Sequence, residues 1–316
     1  MFPHSWLQRA SERLAPYILR TPLTYDAARK VYLKWENHQV TGSFKARGAL
    51  NKVLSLENWE RSRGIVAASA GNHGQGVALA GKLVGASVSV FVAETAVPTK
   101  VAAMRSLGAQ IHTVPGGYGE AEQAGINYAK SNNLTWVSPY NDAQVIAGQA
   151  TVAMEIIQEA PQLQDAVWVV PVGGGGLISG IGAALSTLNH PPPLYGVQST
   201  ASPFLCEIFH RGSQAGIIEL PSLADGLAGP LEEGSVTIPL VKQWVEDILL
   251  VDESDIANAI LFAWKAYGEK LEGSAAVPLA ALLSGKITQT PAVLILTGGN
   301  ILPELHQRII NGHYPR

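Results

Sequence analysis

A lysine follows a serine and a phenylalanine in the segment TGSFKARGAL (41–50), and glycines gather in four clumps: GNHGQG (71–76), GGYG (116–119), GGGG (173–176) and GGN (298–300). Lys45 falls in the first turn of a predicted helix with Ser43 as its N-cap candidate. There the helix dipole disfavours a positive charge and Phe44 desolvates it. Both effects lower the pKa, and the neutral amine is the form that attacks a carbonyl. Read alone, the segment suits an ordinary solvated helix lysine equally well. Three of the glycine clumps follow apolar runs, GIVAAS (64–69), AVWVVPV (166–172) and AVLILT (292–297). They therefore fall at the carboxyl ends of predicted strands, where open parallel sheets bind ligands. Unpaired N–H groups and the positive end of a helix dipole favour an anion there, and glycine lets the backbone come close to it. Any one clump could also be no more than a tight strand-to-helix turn.

The elements that must position these residues are legible from periodicity. Short β-branched runs alternate with Ala/Leu-rich helical stretches: to the three above add VYLKWEN (31–37), read as the first strand, ASVSVFV (86–92), AQIHTV (109–114), LYGVQS (194–199) and DILLVD (247–252). The pattern predicts an α/β protein with buried, mostly parallel sheets. With 47% hydrophobic residues and 15% charged, against a usual charged share of about 25%, a disordered chain is excluded. The net charge of −3 argues against a nucleic-acid surface. Cys206, the single cysteine, allows neither an intramolecular disulfide nor a cysteine-rich zinc cluster. The first residues carry no apolar signal-peptide core, so a cytoplasmic location is expected. Residues 166–189 are uncharged, but four consecutive glycines would break a membrane helix, and no span is expected.

Common nucleotide fingerprints are missing. A G-x-G-x-x-G run begun at Gly174 ends on Ser179, and one begun at Gly74 ends on Leu79; no Walker pattern occurs. The G-x-S-x-G, S-x-x-K and H-E-x-x-H patterns of hydrolases are absent as well. A reactive lysine and a glycine-rich anion cradle without a nucleotide fingerprint suggest pyridoxal 5′-phosphate (PLP), which carries one aldehyde and one phosphate.

At this point a family resemblance is plain. TGSFKARGAL, SAGNHGQGVALAGKLVGA, VPTKVAAMRSLGA, SPYNDAQVIAGQ, VPVGGGGLISGI, LADGLAG, EGSAAVPLAALLSGK and LTGGN, in this order from about Thr21 to Ile301, resemble the fold type II PLP enzymes. The branch they are most similar to is that of threonine dehydratase (threonine ammonia-lyase) and serine racemase. The resemblance implies a tryptophan synthase β-like fold of two open parallel-sheet domains with the cofactor in the cleft between them. Residues 1–57 and 139–316 would form the large PLP-binding domain and 58–138 a small mobile domain. It implies that Lys45 forms a Schiff base with the cofactor, with Phe44 packed beside the ring, and that Asn72 hydrogen-bonds the 3′-hydroxyl. Gly173, Gly174, Gly175, Gly176 and Leu177 would give backbone N–H groups to the phosphate, and Thr297 would face the pyridine nitrogen. Ser69, Ala70, Gly71, Asn72 and His73 would hold the substrate carboxylate. The implied reaction is β-elimination of L-threonine or L-serine to a 2-oxo acid and ammonia, with 3-hydroxyaspartate or an ectoine-derived β-hydroxy amino acid as alternative substrates. A homodimer acting on a small amino acid, without nucleic acid or membrane, is expected.

Departures from the family pattern sharpen the reading. Racemisation needs a second acid/base on the far face of Cα, a serine in the racemase branch, and this chain has Ala70 there. A methyl group transfers no proton, so elimination is favoured over racemisation. Where metal-dependent members place carboxylates, this chain has Gln198, Ser202 and Phe204, so no divalent metal is expected. The chain stops at Arg316, so no C-terminal regulatory domain, and no feedback inhibition by isoleucine, is expected. His73 reads as a helix-start residue, Asp225 as a turn partner, Cys206 as a small buried hydrophobe, and Trp244 and Trp264 as core or interface aromatics. GGYG (116–119) finds no role beyond a flexible turn. Incubation with PLP should give a visible absorption band that vanishes on borohydride reduction and is lost in Lys45→Ala; a protein without this band contradicts the reading.

Overall fold

The computed structural model describes residues 3–314. After helix α1 (His4–Leu14), strands β1 (Leu23–Asp26) and β2 (Val31–Trp35) lead into α2 (Lys45–Ser55) and the short α3 (Asn58–Arg63). Three strand–helix units follow: β3 (Ile65–Ala68) with α4 (Asn72–Val84), β4 (Val88–Ala93) with α5 (Pro98–Ser106), and β5 (Gln110–Val114) with α6 (Tyr118–Ser131). The two-residue β6 (Thr135–Trp136) and the long α7 (Ala143–Glu159) come next. The remainder alternates again through β7 (Val167–Pro171), α8 (Gly176–Leu185), β8 (Leu194–Ser199), α9 (Phe204–Arg211), α10 (Thr237–Trp244) and β9 (Asp247–Val251). It ends with α11 (Glu253–Tyr267), α12 (Gly273–Leu283), β10 (Ala292–Leu296) and α13 (Pro303–Ile310).

Two sheets result. The larger runs β1-β2-β10-β7-β8-β9 and the smaller β5-β4-β3-β6. Every pairing is parallel except β1 with β2. All residues of β3, β7 and β10 are buried, which is why these strands read as unbroken apolar runs. The α/β class read from periodicity is therefore what the chain forms. Two local readings need correction. VYLKW is the second strand, because the short segment before it already contains β1. Ser43 does not cap α2: its backbone is extended and bridges to Gly298, and its hydroxyl has no hydrogen-bond partner among the described residues. The Phe44 N–H instead donates to the Thr297 carbonyl at 3.0 Å, so the start of α2 is anchored on the end of β10.

Helix α2 lies between α4 and α7. Its approach to α7 is close: a Cβ on Gly148 would lie 2.6 Å from the Arg47 carbonyl oxygen and 2.7 Å from the Gly48 Cα. One buried ion network fixes the helix from below. The Arg47 side chain is fully buried; its Nε and Nη2 donate to Glu36 at 2.7 Å each, and Nη1 and Nη2 donate to Glu155 at 2.6 and 2.9 Å. Lys34, also fully buried on β2, donates to Glu155 and to the Thr21 carbonyl at 2.8 Å each. Burial alone would raise the pKa of Glu36, but the Arg47 charge and hydrogen bonds hold it below the usual carboxylate range. That contribution to stability is present above the ordinary carboxylate pKa and is lost as pH falls through the depressed value. Arg47→Met would leave Glu36 buried without its partner. Denaturant unfolding should show a loss of about 3–5 kcal/mol; a loss below about 1 kcal/mol would mean that the network does not hold α2.

Candidate active site

Lys45 is the first residue of α2, and its Nζ donates to the Pro139 carbonyl at 3.1 Å. The amine lies 5.3 Å from the centre of the Phe44 ring. Burial pulls its pKa down to about 8, against the opposing pull of the Glu272 charge. The amine thus has an accessible neutral form, as the sequence suggested. Thr297, buried at the end of β10, is tied to the same spot by its carbonyl bond to Phe44.

The four-glycine run leaves β7 and enters α8. The N–H groups of Gly173, Gly174 and Gly175 have no acceptor among the described residues, and those of Gly176 and Leu177 open a helix, where no intrahelical acceptor exists. These five amides could together hold an anion in a glycine cradle. Glycine is required here: a Cβ on Gly174 would lie 2.4 Å from the Tyr140 ring, and Gly175 has φ +84°. Tyr140 is itself held by the Glu232 N–H, which donates to its hydroxyl at 2.9 Å.

Asn72 and His73 begin α4, in the loop that leaves β3. The Ser69 hydroxyl accepts the Gly71 N–H at 3.1 Å and so braces this loop. No acceptor among the described residues takes the Ala70 N–H, and the Asn72 N–H opens the helix, so the loop offers N–H groups that could hold an anion. His73 is turned inward: its ring Nε2 bonds the Val137 carbonyl at 2.9 Å, and burial together with the Lys45 charge lowers its pKa to about 3. Its side chain serves the fold. The candidates of residues 44–45, 69–73, 173–177 and 297 are thus linked through Thr297 and Phe44, and through the segment 137–140, which meets His73 at Val137, Lys45 at Pro139 and Gly174 at Tyr140.

The sequence reading missed several neighbours. Glu272, the residue before α12, accepts a hydrogen bond from Asn72 Nδ2 at 2.7 Å, and Asn300 Nδ2 donates to Asn72 Oδ1 at 2.7 Å. Asn141 Nδ2 donates to Glu232 at 2.7 Å, and Lys100 pairs with Asp225 at 3.3 Å, joining α5 to the turn at 225–227. Glu272 stands at the head of EGSAAVPLAALLSGK, one of the segments that carry the resemblance, but nothing in its spacing points to Asn72. GGYG (116–119) proves to be the start of α6: the Gly117 N–H donates to Glu120 at 2.8 Å and the Tyr118 hydroxyl to Glu122 at 2.7 Å. Gln198 and Ser202 are engaged within the protein: Gln198 Oε1 accepts the Cys206 N–H at 3.1 Å, and Ser202 Oγ donates to Glu219 at 2.9 Å. No helix among the described residues is long and apolar enough to cross a membrane.

Residues 14–298 match the family model described as pyridoxal-phosphate dependent enzyme. The chain is 39% identical over 312 residues to the L-threonine ammonia-lyase of Thermotoga maritima, covering 96% of this chain and 77% of that protein. Among solved structures it is similar to maize serine racemase, with a TM-score of 0.88, 29% identity and coverage of 98% of this chain and 97% of that one. It is also similar to the processed form of threonine deaminase isoform 2 from Solanum lycopersicum, with a TM-score of 0.88, 26% identity and coverage of 97% of this chain and 87% of that one.

The residues present fit PLP: the five glycine-loop amides suit a phosphate, the buried amine of Lys45 suits an aldehyde, and the Thr297 hydroxyl is neutral. In Gly174→Ala the added methyl displaces Tyr140 and closes the cradle, so PLP affinity, followed by tryptophan fluorescence, should fall about 10- to 100-fold. Unchanged affinity would exclude the cradle as the phosphate site.

Proposed function

This chain belongs to the family of pyridoxal-phosphate dependent enzymes, and on that premise we propose that it is an ammonia-lyase that converts L-threonine and L-serine to a 2-oxo acid and ammonia. The observation that carries the reading is the buried Lys45 amine at the start of α2, with its pKa lowered to about 8, in one site with the glycine cradle of residues 173–177. When bound, PLP supplies an aldehyde that joins covalently to the substrate amine and a conjugated ring that takes up the electron pair left at Cα.

The protein's own residues do the rest. Amides of Gly173 to Leu177 would hold the phosphate, Phe44 would flank the ring, and Asn72 would meet the 3′-hydroxyl. The Thr297 hydroxyl would lie toward the ring nitrogen and, unlike a carboxylate, would not keep it protonated. A neutral partner there would suit elimination better than a reaction that needs a fully protonated ring. The turn of residues 69–73 binds the substrate carboxylate through backbone N–H groups at the head of α4. Lys45 Nζ takes the Cα proton as general base. On the opposite face Ala70 offers only a methyl group, so a proton is not returned there and elimination prevails over racemisation.

Glu232 lies next to this apparatus through its bonds with Ser138 and Asn141. We further read residues 58–138 as a small domain that closes over the substrate and excludes water, and the protein as a cytoplasmic homodimer, on the strength of the resemblance.

A 2-oxo acid assay across L-threonine, L-serine, D-serine and the 3-hydroxyaspartate diastereomers tests the reading. Turnover is expected with L-threonine and L-serine, to fall at least about 100-fold in Lys45→Ala, and to persist in EDTA. Conversion of L-serine to D-serine at a rate comparable with elimination would overturn the role given to Ala70.

A further inference from the structure

Glu272 is a carboxylate in a place that the protein has shaped for it. Only 7% of its surface is exposed. A Cβ on Gly298 would lie 2.4 Å from its Oε1, so the glycine-rich turn after β10 leaves room for this side chain. Its backbone N–H donates to the Gly298 carbonyl at 3.1 Å, and Gly298 in turn bridges to Ser43, two residues before Lys45.

The hydrogen bonds around it leave one arrangement. Asn300 Nδ2 donates to the Thr41 carbonyl at 2.8 Å and to Asn72 Oδ1 at 2.7 Å, which uses both of its hydrogens. Asn72 therefore presents its carbonyl to Asn300 and its amide to Glu272, whose ionised carboxylate only accepts. One hydrogen of Asn72 Nδ2 remains for a ligand. Without Glu272, Asn72 would keep the bond from Asn300 but lose the acceptor that holds its own amide in place.

We propose that Glu272 is a positioning residue of the lyase site: with Asn300 it holds the Asn72 amide in one orientation, and it is the counter-charge that Lys45 meets in a buried pocket. The inference rests on the ammonia-lyase reading for its purpose, but its physical content concerns Asn72 and Lys45 alone. The charged groups that face Glu272 come from three elements: Lys45 on α2, Lys100 on α5 and Asp225 on the turn at 225–227. Burial and then Asp225 push its pKa up to about 7, against the hydrogen bond of Asn72 and the charges of Lys100 and Lys45. The coupling is mutual, since the Glu272 charge raises the pKa of Lys45. Above about pH 7 Glu272 is ionised and supports a cationic Lys45; below it the support is withdrawn.

Two variants separate the two roles. Glu272→Gln keeps an acceptor for Asn72 and removes the charge, whereas Glu272→Asp keeps the charge and, one methylene shorter, draws away from Asn72. In the full chain freed of cofactor, the pH dependence of Lys45 acylation is read by mass spectrometry, and PLP affinity by tryptophan fluorescence. The acylation midpoint should move down by about 1 pH unit in the Gln variant and stay in place in the Asp variant. PLP affinity should fall about tenfold in the Asp variant and less than about threefold in the Gln variant. In the holoenzyme, the acidic limb of kcat/KM near pH 7 should disappear in the Gln variant and remain in the Asp variant. If the Gln variant does not fold, Gly298→Ala, whose methyl displaces the carboxylate, should move the midpoint in the same direction. An unmoved midpoint in the Gln variant, or in Gly298→Ala where that stands in for it, overturns the counter-charge role; undiminished PLP affinity in the Asp variant overturns the positioning role. Neither of those readouts requires turnover, so absence of 2-oxo acid formation would count against the lyase reading and not against this one.

Discussion

The guanidinium of Arg47 brings five N–H groups into a region without exposed surface, and its arrangement with Glu36 and Glu155 sets where α2 can lie. Glu36 follows β2 and Glu155 lies on α7, so one side chain holds together a sheet, a helix and the element that carries Lys45. Charges so deeply buried are costly unless each is paired, and a displaced helix would leave several unpaired at once. The position of Lys45, two residues before Arg47, follows from this constraint. A nucleophile on a flexible loop would have no comparable means of keeping its amine both buried and aimed.

Glycine then decides how closely other groups gather round that amine. At residues 173–176 the missing side chains leave amides free for an anion while the Tyr140 ring lies directly against them. At Gly298 the missing side chain admits a carboxylate. The same residue type thus serves opposite ends at two places in one pocket, an anion to be captured and an anion supplied by the protein. The difference lies in what the adjoining elements contribute: a helix N-terminus at the cradle, the head of α12 at Gly298.

This division explains what the sequence made legible. Lys45 with its flanking phenylalanine, the GGGG run after an apolar strand and the alternation of strands and helices are local patterns, and their physics acts over a few residues. Glu272 and Asn72 are separated by 200 positions, and neither residue type is unusual in its segment. Their contact exists only because β10 and β3 bring Gly298 and the head of α4 together, which no local periodicity encodes. Ser43 shows the converse failure. Its type and place suit an N-cap, but the backbone pairing of Ser43 with Gly298 and of Phe44 with Thr297 takes precedence and leaves its hydroxyl without a partner among the described residues.

The order of strands in the larger sheet bears on how the protein is made. β10 lies between β2 and β7, although it is the last of these strands to leave the ribosome. Until it emerges, β2 and β7 have no neighbour on the sides they turn toward each other, and the start of α2 has no β10 terminus to anchor it. A growing chain must carry the unpaired edge of β2 through most of its synthesis and that of β7 through its later part, a condition that favours aggregation. Insertion of β10 is therefore the step that at once closes the sheet and joins Thr297 to the helix of Lys45.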